Sequence, residues 1–378
     1  MTGGYILPTY ARYDVCFTRG EGARLYDEGG REYIDFASGI GVNSVGHAHA
    51  AWVSAVSAQA AALAHVSNLY LTRPGAVLAE RLCALAGLEA VFFANSGAEA
   101  NEGMVKCARK YGAGKREGRN VIVALENSFH GRTVTTLAAT GQEAFHRHFH
   151  PFTPGFRHVP LGDINALAAQ PDDVCAVLLE LVQGEGGVIE ADRGYARAVA
   201  RLCAERDWLL CVDEVQTGIG RCGAWFAFQL YGIAPDIVSF AKGIAGGLPL
   251  GGFICGKKTA ATLEKGDHAS TFGMNPVCCA AANAVLDILA PVLPDVPRKG
   301  EYIKSKLSAM GLSPRGLGLM LAAKAENPKE TAARLLERGL AVLTAGKDAL
   351  RFLPPLTIEY NEIDKGLDIL RETLAETR

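Results

Sequence analysis

The sequence predicts an α/β domain with a mostly parallel sheet covered on both faces, together with a smaller α+β domain. Short apolar runs of the kind that form strands buried on both faces alternate with helix-like stretches from about residue 90 to 256. These runs are Val91–Ala94, Val121–Leu125, Val174–Leu181, Trp208–Val212, Ile237–Ala241 and Gly252–Cys255. Strands that alternate with helices predict a doubly covered α/β sheet.

The stretches between the runs carry apolar residues at helical spacing. One set is Ala100, Met104, Cys107, Ala108 and Tyr111, and another is Tyr195, Val199, Leu202 and Cys203. These two segments are predicted helices that cover the sheet.

The two chain ends have a different pattern. Residues 17–36 are predicted to form a strand pair, with the segment 28–31 (Glu-Gly-Gly-Arg) as the turn. After residue 290, three prolines interrupt a helix and an α+β pattern follows. We therefore expect residues 1–48 and 277–378 to form one small domain, and residues 49–276 to form the large one.

Composition limits the function classes. The chain has 378 residues and a formal net charge of −2, so it offers no electrostatic footprint for nucleic acid or an anionic membrane. The first twelve residues lack a signal-peptide pattern, and no apolar run approaches a membrane span. Most of the ten cysteines lie in Ala/Val/Leu-rich stretches and none forms a C-x-x-C pair. These features predict a reduced cytoplasmic protein with a small-molecule substrate and no structural zinc.

Two predicted strands end in residues that carry chemistry. Asp213 follows the run that ends at Val212, and Lys242 follows the run that ends at Ala241. Ligands in open α/β sheets bind outside the carboxyl ends of the strands, so both side chains could face one ligand. Pyridoxal phosphate needs such a pair, a lysine amine for its aldehyde and a carboxylate beside its pyridine nitrogen. An ordinary salt bridge or helix cap remains an alternative on spacing alone.

A phosphate group would need its own cradle. The strand-like segment 92–95 runs into Ser96-Gly97-Ala98, which opens a helix. Small residues at a helix N-terminus expose backbone N–H groups that bind anions. A serine N-cap without a ligand is the competing interpretation.

Further candidates follow the next predicted strand. Phe129 could stack on a cofactor ring, and Arg132 could hold a carboxylate by two hydrogen bonds, although a core Phe and a surface Arg would fit the same pattern. His146, His148 and His150 lie close in sequence. We expect them in a surface loop and not in a metal site, because no carboxylate or cysteine completes a ligand set.

The ordered set of motifs closely resembles the class III aminotransferases from about Leu7 to the C-terminus. The motifs are Ser96-Gly97-Ala98-Glu99-Ala100, Phe129-His130-Gly131-Arg132, Gln183-Gly184-Glu185-Gly186-Gly187, Asp213-Glu214-Val215-Gln216-Thr217-Gly218, Lys242 and Thr271-Phe272-Gly273-x-Asn275-Pro276. The resemblance implies a fold-type-I pyridoxal-phosphate-dependent transferase. Its large domain would contain a mostly parallel seven-stranded sheet, with residues 156–159 as a candidate for the strand beyond the six apolar runs.

The resemblance also implies residue roles. Lys242 and Asp213 would be catalytic, and Asp213 would pair with the ring nitrogen of pyridoxal phosphate. The remaining cofactor contacts would come from Ser96, Gly97, Ala98, Phe129, Val215, Gln216 and Thr271. Thr271 would reach the phosphate bound by the neighbouring subunit, with Ser270 beside it near the substrate, which implies a homodimer with shared active sites.

Within the family, the segments 42–49, 65–70 and 351–356 are most similar to members that act on N2-acetylornithine. By this resemblance, Arg132 would bind the distal carboxylate of either substrate, and Arg351 would bind the α-carboxylate of glutamate. Glu185 would neutralise Arg351 when the ω-amino substrate is bound, because a buried unpaired charge is costly. A permanent structural Arg–Glu pair is the alternative. The expected reaction transfers the terminal amino group of acetylornithine to 2-oxoglutarate in arginine biosynthesis.

Substrate choice within the family stays open on the sequence. Ile40 stands where family members that act on free ornithine tend to have tyrosine. An apolar residue at this position suits an acylated, neutral α-amine. The 4-aminobutyrate aminotransferases also have an apolar residue there. Succinylornithine, ornithine, 4-aminobutyrate or carrier-bound lysine are alternative substrates. A non-transaminating pyridoxal-phosphate protein is disfavoured by Arg351 and Glu185, since it has no second substrate to accommodate.

Glu180-Leu181 departs from the family's usual Glu-Pro, and Ala50 from its usual Pro.

Overall fold

The computed structural model describes residues 5–376. Its strands are β1 (Phe17–Glu21), β2 (Arg24–Asp27), β3 (Glu32–Asp35), β4 (Ala90–Ala94), β5 (Val121–Leu125), β6 (Phe156–Val159), β7 (Val174–Leu179), β8 (Val182–Gln183), β9 (Ile189–Glu190), β10 (Leu209–Asp213), β11 (Ile237–Phe240), β12 (Gly251–Cys255), β13 (Pro314–Leu317), β14 (Met320–Lys324), β15 (Leu340–Ala341), β16 (Leu343–Ala345) and β17 (Ala349–Phe352). Its helices are α1 (Ser38–Gly41), α2 (Ala50–Ala62), α3 (Arg73–Ala86), α4 (Gly97–Lys115), α5 (Val134–Ala139), α6 (Ile164–Ala168), α7 (Arg193–Arg206), α8 (Phe228–Tyr231), α9 (Pro276–Val292), α10 (Val296–Ala309), α11 (Pro328–Glu337) and α12 (Tyr360–Ala375). Short 3-10 helices cover Glu143–Phe145, Lys242–Ala245 and Leu293–Asp295.

The central sheet has seven strands in the order β4-β12-β11-β10-β7-β5-β6. Pairings from β11 to β6 are parallel, and β12 is antiparallel to both of its neighbours. The expected mostly parallel seven-stranded sheet is confirmed. Asp213 of β10 lies opposite Ser239 of β11. Lys242 comes three residues after Ser239 in the chain, so it lies at the same edge of the sheet as Asp213.

The predicted strands agree closely with the observed ones. β5 matches its apolar run end to end, and β6 is the seventh strand that was expected at residues 156–159. The run predicted as Val174–Leu181 is shorter as a strand, because β7 ends at Leu179 and the carboxylate of Glu180 turns inward to bind backbone N–H groups. Strands β5, β7 and β10 are buried at every position, as continuous apolar runs predict.

Three smaller sheets flank the central one. Both chain ends contribute to the sheet β1-β2-β3-β15, in which Leu340 pairs in parallel with Ile34. The expected N-terminal hairpin is β2–β3, with Leu25 opposite Tyr33, and β1 extends it. The sheet β13-β14-β17-β16 follows in the C-terminal part, and β8 pairs with β9. The boundaries at residues 48/49 and 276/277 stay a prediction, and residues 1–4 and 377–378 of those segments lie outside the described part.

Within residues 5–376, one helical segment, Pro276–Ala309, is long and apolar enough by length and composition to cross a membrane, with a mean hydropathy of 1.8. α9, its first part, buries eight residues and packs against α2 and α3. The predicted interruption is wrong at Pro291, because α9 continues through it to Val292. The 3-10 helix Leu293–Asp295, which contains Pro294, separates α9 from α10. We interpret it as core helices, which pass the same test of composition.

All ten cysteines are free, and eight of them are buried. Cys107, Cys175, Cys211 and Cys255 belong to the apolar cluster between the sheet and α4. They therefore act as small core residues, as the surrounding sequence predicts.

Candidate active site

A cleft of about 420 Å³ opens at the carboxyl ends of β10 and β11. It brings together most of the residues that the sequence singled out, although they come from four separate segments. Those that line it are Ser96, Gly97, Ala98, Phe129, Arg132, Asp213, Val215, Gln216 and Lys242.

Asp213 is the most completely hydrogen-bonded group of the cleft. Its Oδ2 accepts from Asn101 Nδ2 at 2.8 Å and lies 2.8 Å from His130 Nδ1. Its Oδ1 accepts from Val215 N at 3.0 Å and from Ser239 Oγ at 3.3 Å. The carboxylate is 4 % exposed, so four contacts fix both of its oxygens in place.

These contacts keep Asp213 ionised. Burial alone would raise its pKa, but the hydrogen bond and charge of His130, with the donors Val215 and Asn101, lower the pKa below its ordinary value. An anion at this depth can hold a proton on a partner nitrogen that faces it.

Lys242 starts a 3-10 turn directly after β11, with φ at +45°. Such a left-handed conformation is strained for a residue with a side chain and is frequent at functional sites. The turn is tied down by Ser44, whose Oγ donates to Gly243 O at 2.6 Å. Burial lowers the pKa of Lys242, against the raising influence of Asp213 and Glu185. A lowered pKa gives the amine more of the neutral, nucleophilic form at a given pH.

The N-terminus of α4 forms an anion cradle. Ser96 caps the helix by accepting from Glu99 N at 3.2 Å, while the first-turn N–H groups of Gly97 and Ala98 have no acceptor within the helix. A Cβ at Gly97 would lie 2.6 Å from Cγ1 of Val215. Glycine is therefore needed where α4 meets Val215 at the edge of the cleft.

Glu180 orders two loops at once. Its carboxylate accepts from Phe129 N at 2.8 Å and from Gly184 N at 3.3 Å. Burial raises the pKa of Glu180 to about 7. The charge of His130 acts to lower this pKa, and the charge of Asp213 acts to raise it. Phe129 and the turn that bears Glu185 are thus fixed by one buried acid.

Arg351 lies in β17, held between Ala322 of β14 and Leu343 of β16. It is 3 % exposed, and its Nη1 donates to Glu185 Oε1 at 2.6 Å and to Gln216 Oε1 at 3.1 Å. Its Nε is buried and has no hydrogen-bond partner in residues 5–376. Burial raises the pKa of Glu185, but the charge and hydrogen bond of Arg351 more than offset this and the pKa is lowered.

Ile40 lies in α1, a single turn in which four consecutive residues have positive φ. Asp35 holds the start of this turn by accepting from Ala37 N and Ser38 N at 2.9 and 2.8 Å. The turn leaves the Ile40 side chain 42 % exposed and outside the lining of the cleft, which Val42 joins instead. A β-branched residue at positive φ is unusual, so the turn stores strain.

Ser270 and Thr271 lie beside the cleft and do not line it. Ser270 Oγ accepts from Asn95 Nδ2 at 3.2 Å and from Gly273 N at 3.0 Å, and Thr271 is exposed. Arg132 is also exposed and forms no ion pair with any described residue; its guanidinium lies over the ring of Phe145, 3.8 Å from the centroid.

Sequence reasoning missed several contributors to the site. Asn101 binds Asp213, and Glu180 and Val42 line the cleft. A buried asparagine on the apolar face of a predicted helix was an available signal, since buried polar groups have hydrogen-bond partners. His130 stands inside a recognised motif, but its partner 83 positions away was not readable from it.

The histidine group at 146–150 does not form a metal site in the described structure, where no three potential ligands cluster. His146 is partly buried and its Nε2 lies 2.7 Å from Thr140 O and 3.0 Å from Leu137 O, whereas His148 and His150 are exposed.

The residues present fit pyridoxal phosphate. The cleft offers an amine at Lys242, an anion at Asp213, an aromatic ring at Phe129 and unpaired N–H groups at Gly97 and Ala98, all on its lining. When bound, the cofactor supplies an aldehyde that accepts amino groups and a ring that accepts electrons. Fold and site together define a pyridoxal-phosphate-dependent enzyme.

Comparison with known proteins gives the family. The aminotransferase class-III family matches residues 6–374, and the chain belongs to this family of pyridoxal-phosphate-dependent transaminases. Acetylornithine aminotransferase of Haemophilus ducreyi is 50% identical over 100% of this chain and 98% of its own length. The enzyme of the same name from Caldanaerobacter subterraneus is 45% identical over 99% and 98%.

Solved structures agree in fold. An ornithine aminotransferase from Toxoplasma gondii has a TM-score of 0.94 at 29% identity and covers 99% of this chain and 94% of its own. An N-acetylornithine aminotransferase from Stenotrophomonas maltophilia has a TM-score of 0.85 at 36% identity, with 97% of each chain covered.

Proposed function

We propose that this enzyme transfers the terminal amino group of N2-acetylornithine to 2-oxoglutarate, giving N-acetylglutamate 5-semialdehyde and glutamate, as a cytoplasmic enzyme of arginine biosynthesis. The observation that carries the proposal is the Arg351–Glu185 pair, which lies outside the lining of the cleft and is joined to it by the hydrogen bond from Arg351 Nη1 to Gln216 Oε1. Arg351 is almost fully buried, whereas the side chain of Glu185 is 27% exposed. The arginine is fixed in a strand and its acid can leave, which suits a site that admits two substrates in turn.

Each substrate places its charges differently in this site. Glutamate carries a carboxylate next to its reacting amine, and that carboxylate replaces Glu185 on Arg351. Acetylornithine carries only methylenes next to its reacting amine, and Glu185 stays on Arg351 so that no buried charge is left unpaired. The far carboxylate of either substrate binds Arg132, whose N–H donors have no carboxylate partner in residues 5–376.

The remaining roles are inferred from the family resemblance together with the lining of the cleft. Asp213 would hold the ring-nitrogen proton, and Phe129 and Val215 would enclose the ring. Gly97 and Ala98 would bind the phosphate, Gln216 would lie at the ring hydroxyl side, and Lys242 would accept and return the proton of the reacting carbon. The amine of Lys242 suits this task because its pKa is lowered by burial.

Free ornithine is the main alternative substrate. Backbone similarity does not favour either one, since an ornithine aminotransferase has the higher TM-score and an acetylornithine aminotransferase the higher identity. The apolar Ile40 favours an acylated α-amine, because its hydrocarbon side chain offers a charged ammonium no hydrogen-bond acceptor.

A panel of amino donors with 2-oxoglutarate as acceptor tests the substrate. We expect kcat/KM for acetylornithine to exceed that for ornithine and 4-aminobutyrate by at least about tenfold, the equivalent of roughly 1.4 kcal/mol. Ile40→Tyr should raise activity with ornithine, and Ile40→Phe, which differs by the hydroxyl alone, should not. A preference of the unmodified enzyme for ornithine would refute the proposal.

We also propose that the enzyme works as a homodimer. Helix α2 is apolar yet buries none of its residues, and the loop after it exposes Leu69 (86%) and Leu71 (89%). Asn68 Nδ2 donates to Ser270 O and Gly273 O at 3.0 Å. The apolar surface therefore continues into the loop that bears Thr271, beside the cleft. A patch of this kind is typical of protein interfaces.

In the dimer this surface is covered by a second copy, and Thr271 reaches the phosphate in the partner's site. Light scattering should give twice the chain mass of 40.0 kDa. The double variant Leu69→Asp, Leu71→Asp should be monomeric and inactive. A monomeric parent enzyme with full activity would refute shared active sites.

A further inference from the structure

We propose that Phe145 is a positioning residue for Arg132, holding the guanidinium at the cleft by stacking instead of by an ion pair. The inference rests on the proposed function of Arg132 as the site for the far carboxylate. It adds a residue outside the motifs that suggested the active site, in the segment that contains the histidine group.

The stacking geometry is close. The guanidinium carbon of Arg132 lies 3.8 Å from the ring centroid of Phe145 and 5.5 Å from that of Phe129. The two rings meet edge to face, with centroids 5.9 Å apart and planes at 85°. Aromatic faces attract a guanidinium and leave its in-plane N–H groups unused. Arg132 therefore keeps its N–H donors for an incoming carboxylate, whereas an ion-pair partner would occupy them.

Phe145 is in turn fixed by its neighbour. His146 Nε2 lies 2.7 and 3.0 Å from the carbonyl oxygens of Thr140 and Leu137, at the C-terminus of α5. Leu137 O also accepts from Thr140 N at 3.2 Å. The histidine therefore adds a second contact at this helix end and one at Thr140 O, and it anchors the turn that contains Phe145. His158 of β6 caps the same helix end through Ala139 O at 3.0 Å and contacts the His146 ring.

This arrangement connects Arg132, the proposed contact of both substrates, with Phe129, the proposed stacking partner of the cofactor ring. Helix α5 begins at Val134, two residues after Arg132, and the chain then returns through His146 to set Phe145 against both Arg132 and Phe129. The histidine at position 146 thus has a structural task in the active site, and the metal interpretation is not needed to explain it.

Steady-state kinetics of Phe145→Ala, Phe145→Leu and Phe145→Trp test the proposal, with Phe149→Ala as matched control. Phe149 lies in the same segment and is 60% exposed. Phe145→Ala should raise KM about 3–5-fold for both acetylornithine and glutamate, the usual range for an exposed cation–π contact, with kcat changed less than twofold. Phe145→Leu should behave alike, and Phe145→Trp and Phe149→Ala should match the parent.

Three further measurements separate the possible causes. N-acetyl-1,4-diaminobutane is acetylornithine without its carboxylate, and its kcat/KM should be equal in the parent and in Phe145→Ala. Adding Phe145→Ala to Arg132→Ala should raise KM no further, since the contact is already lost. The affinity for pyridoxal phosphate should stay within twofold of the parent.

The outcomes distinguish the inference from the function on which it rests. Unchanged KM in Phe145→Ala, full affinity in Phe145→Leu, or an additive double variant would each overturn the positioning role. If Arg132→Ala itself leaves both KM values unchanged, the proposed carboxylate site is wrong instead. Should the alanine variant not fold, the Leu and Trp pair carries the same comparison.

Discussion

The carboxylate of Glu185 spans the guanidinium of Arg351, with one oxygen 2.6 Å from Nη1 and the other 3.3 Å from Nη2. The acid comes from the turn after β8 and the base from β17, 166 positions apart. The contact therefore joins two parts of the fold at the point where substrates would differ in charge.

Arg351→Ala should impair the glutamate half-reaction far more than the acetylornithine half-reaction. Glutamate would lose the donor for its α-carboxylate, which costs about 2–5 kcal/mol for a truncated buried pair. Single-turnover rates with each amino donor measure the two halves separately.

Glu185→Gln should have the opposite preference. Arg351 would stay without its counter-charge, so the glutamate half-reaction should keep its rate or gain, and the acetylornithine half-reaction should slow. Equal losses in both halves for both variants would make the pair a purely structural one.

Lys242→Ala should abolish multiple turnover but keep cofactor binding through the helix N-terminus and ring contacts. No other described lysine lines the cleft, so no second amine can replace it. Turnover with 2-oxoglutarate checks this. Lys258→Ala is the control, because Lys258 lies after β12 and pairs with Asp236 at the opposite end of β11 from Lys242. Activity above about one percent of the parent without added amines would rule out the role of Lys242.

Asp213→Asn should bind the cofactor and lose most activity. A neutral amide cannot hold the ring-nitrogen proton, and an electrostatic contribution of this kind is worth about 10²–10³ in rate. Asp236→Asn is a matched control, because Asp236 precedes β11 at the opposite edge of the sheet. A loss below fivefold at Asp213 would show that it is not the partner of the nitrogen.

Glu214→Gln should stabilise the protein increasingly as the pH rises. Glu214 is fully buried, and burial raises its pKa from 4.5 to about 7. The folded state thus keeps a proton that the unfolded chain releases, and parent stability falls as the pH rises from about 4.5 to 7. Glutamine mimics the protonated acid and removes this loss of about 3 kcal/mol.

Unfolding curves from pH 5 to 8 test the expectation. The difference between the variant and the parent should grow with pH. A constant difference across that range would mean that Glu214 is already ionised in the folded protein.

The sequence predicted the central sheet well because its strands are continuous apolar runs, and burial on both faces demands that composition. It also indicated Lys242 and Asp213, since catalytic residues at strand ends follow from sheet topology. The order of the strands and the antiparallel direction of β12 needed the tertiary structure.

The environment of the site was less accessible to sequence reasoning. Asn101 reaches Asp213 across 112 positions, and no local pattern encodes such a contact. The left-handed α1 turn has an isoleucine at φ +66°, a residue that propensity would exclude there. Both depend on surroundings that only the folded chain supplies.

The pairing of β15 with β3 has a consequence for biosynthesis. Ile34 emerges from the ribosome about 300 residues before its partner Leu340 is made. At typical rates of 5–20 residues per second, the edge of β3 waits roughly 15–60 s for its neighbour. An open strand edge is a template for unwanted pairing, so a stalled or truncated nascent chain exposes one. The sheet β1-β2-β3-β15 therefore contains three strands that are synthesised about 300 residues before the strand that completes it.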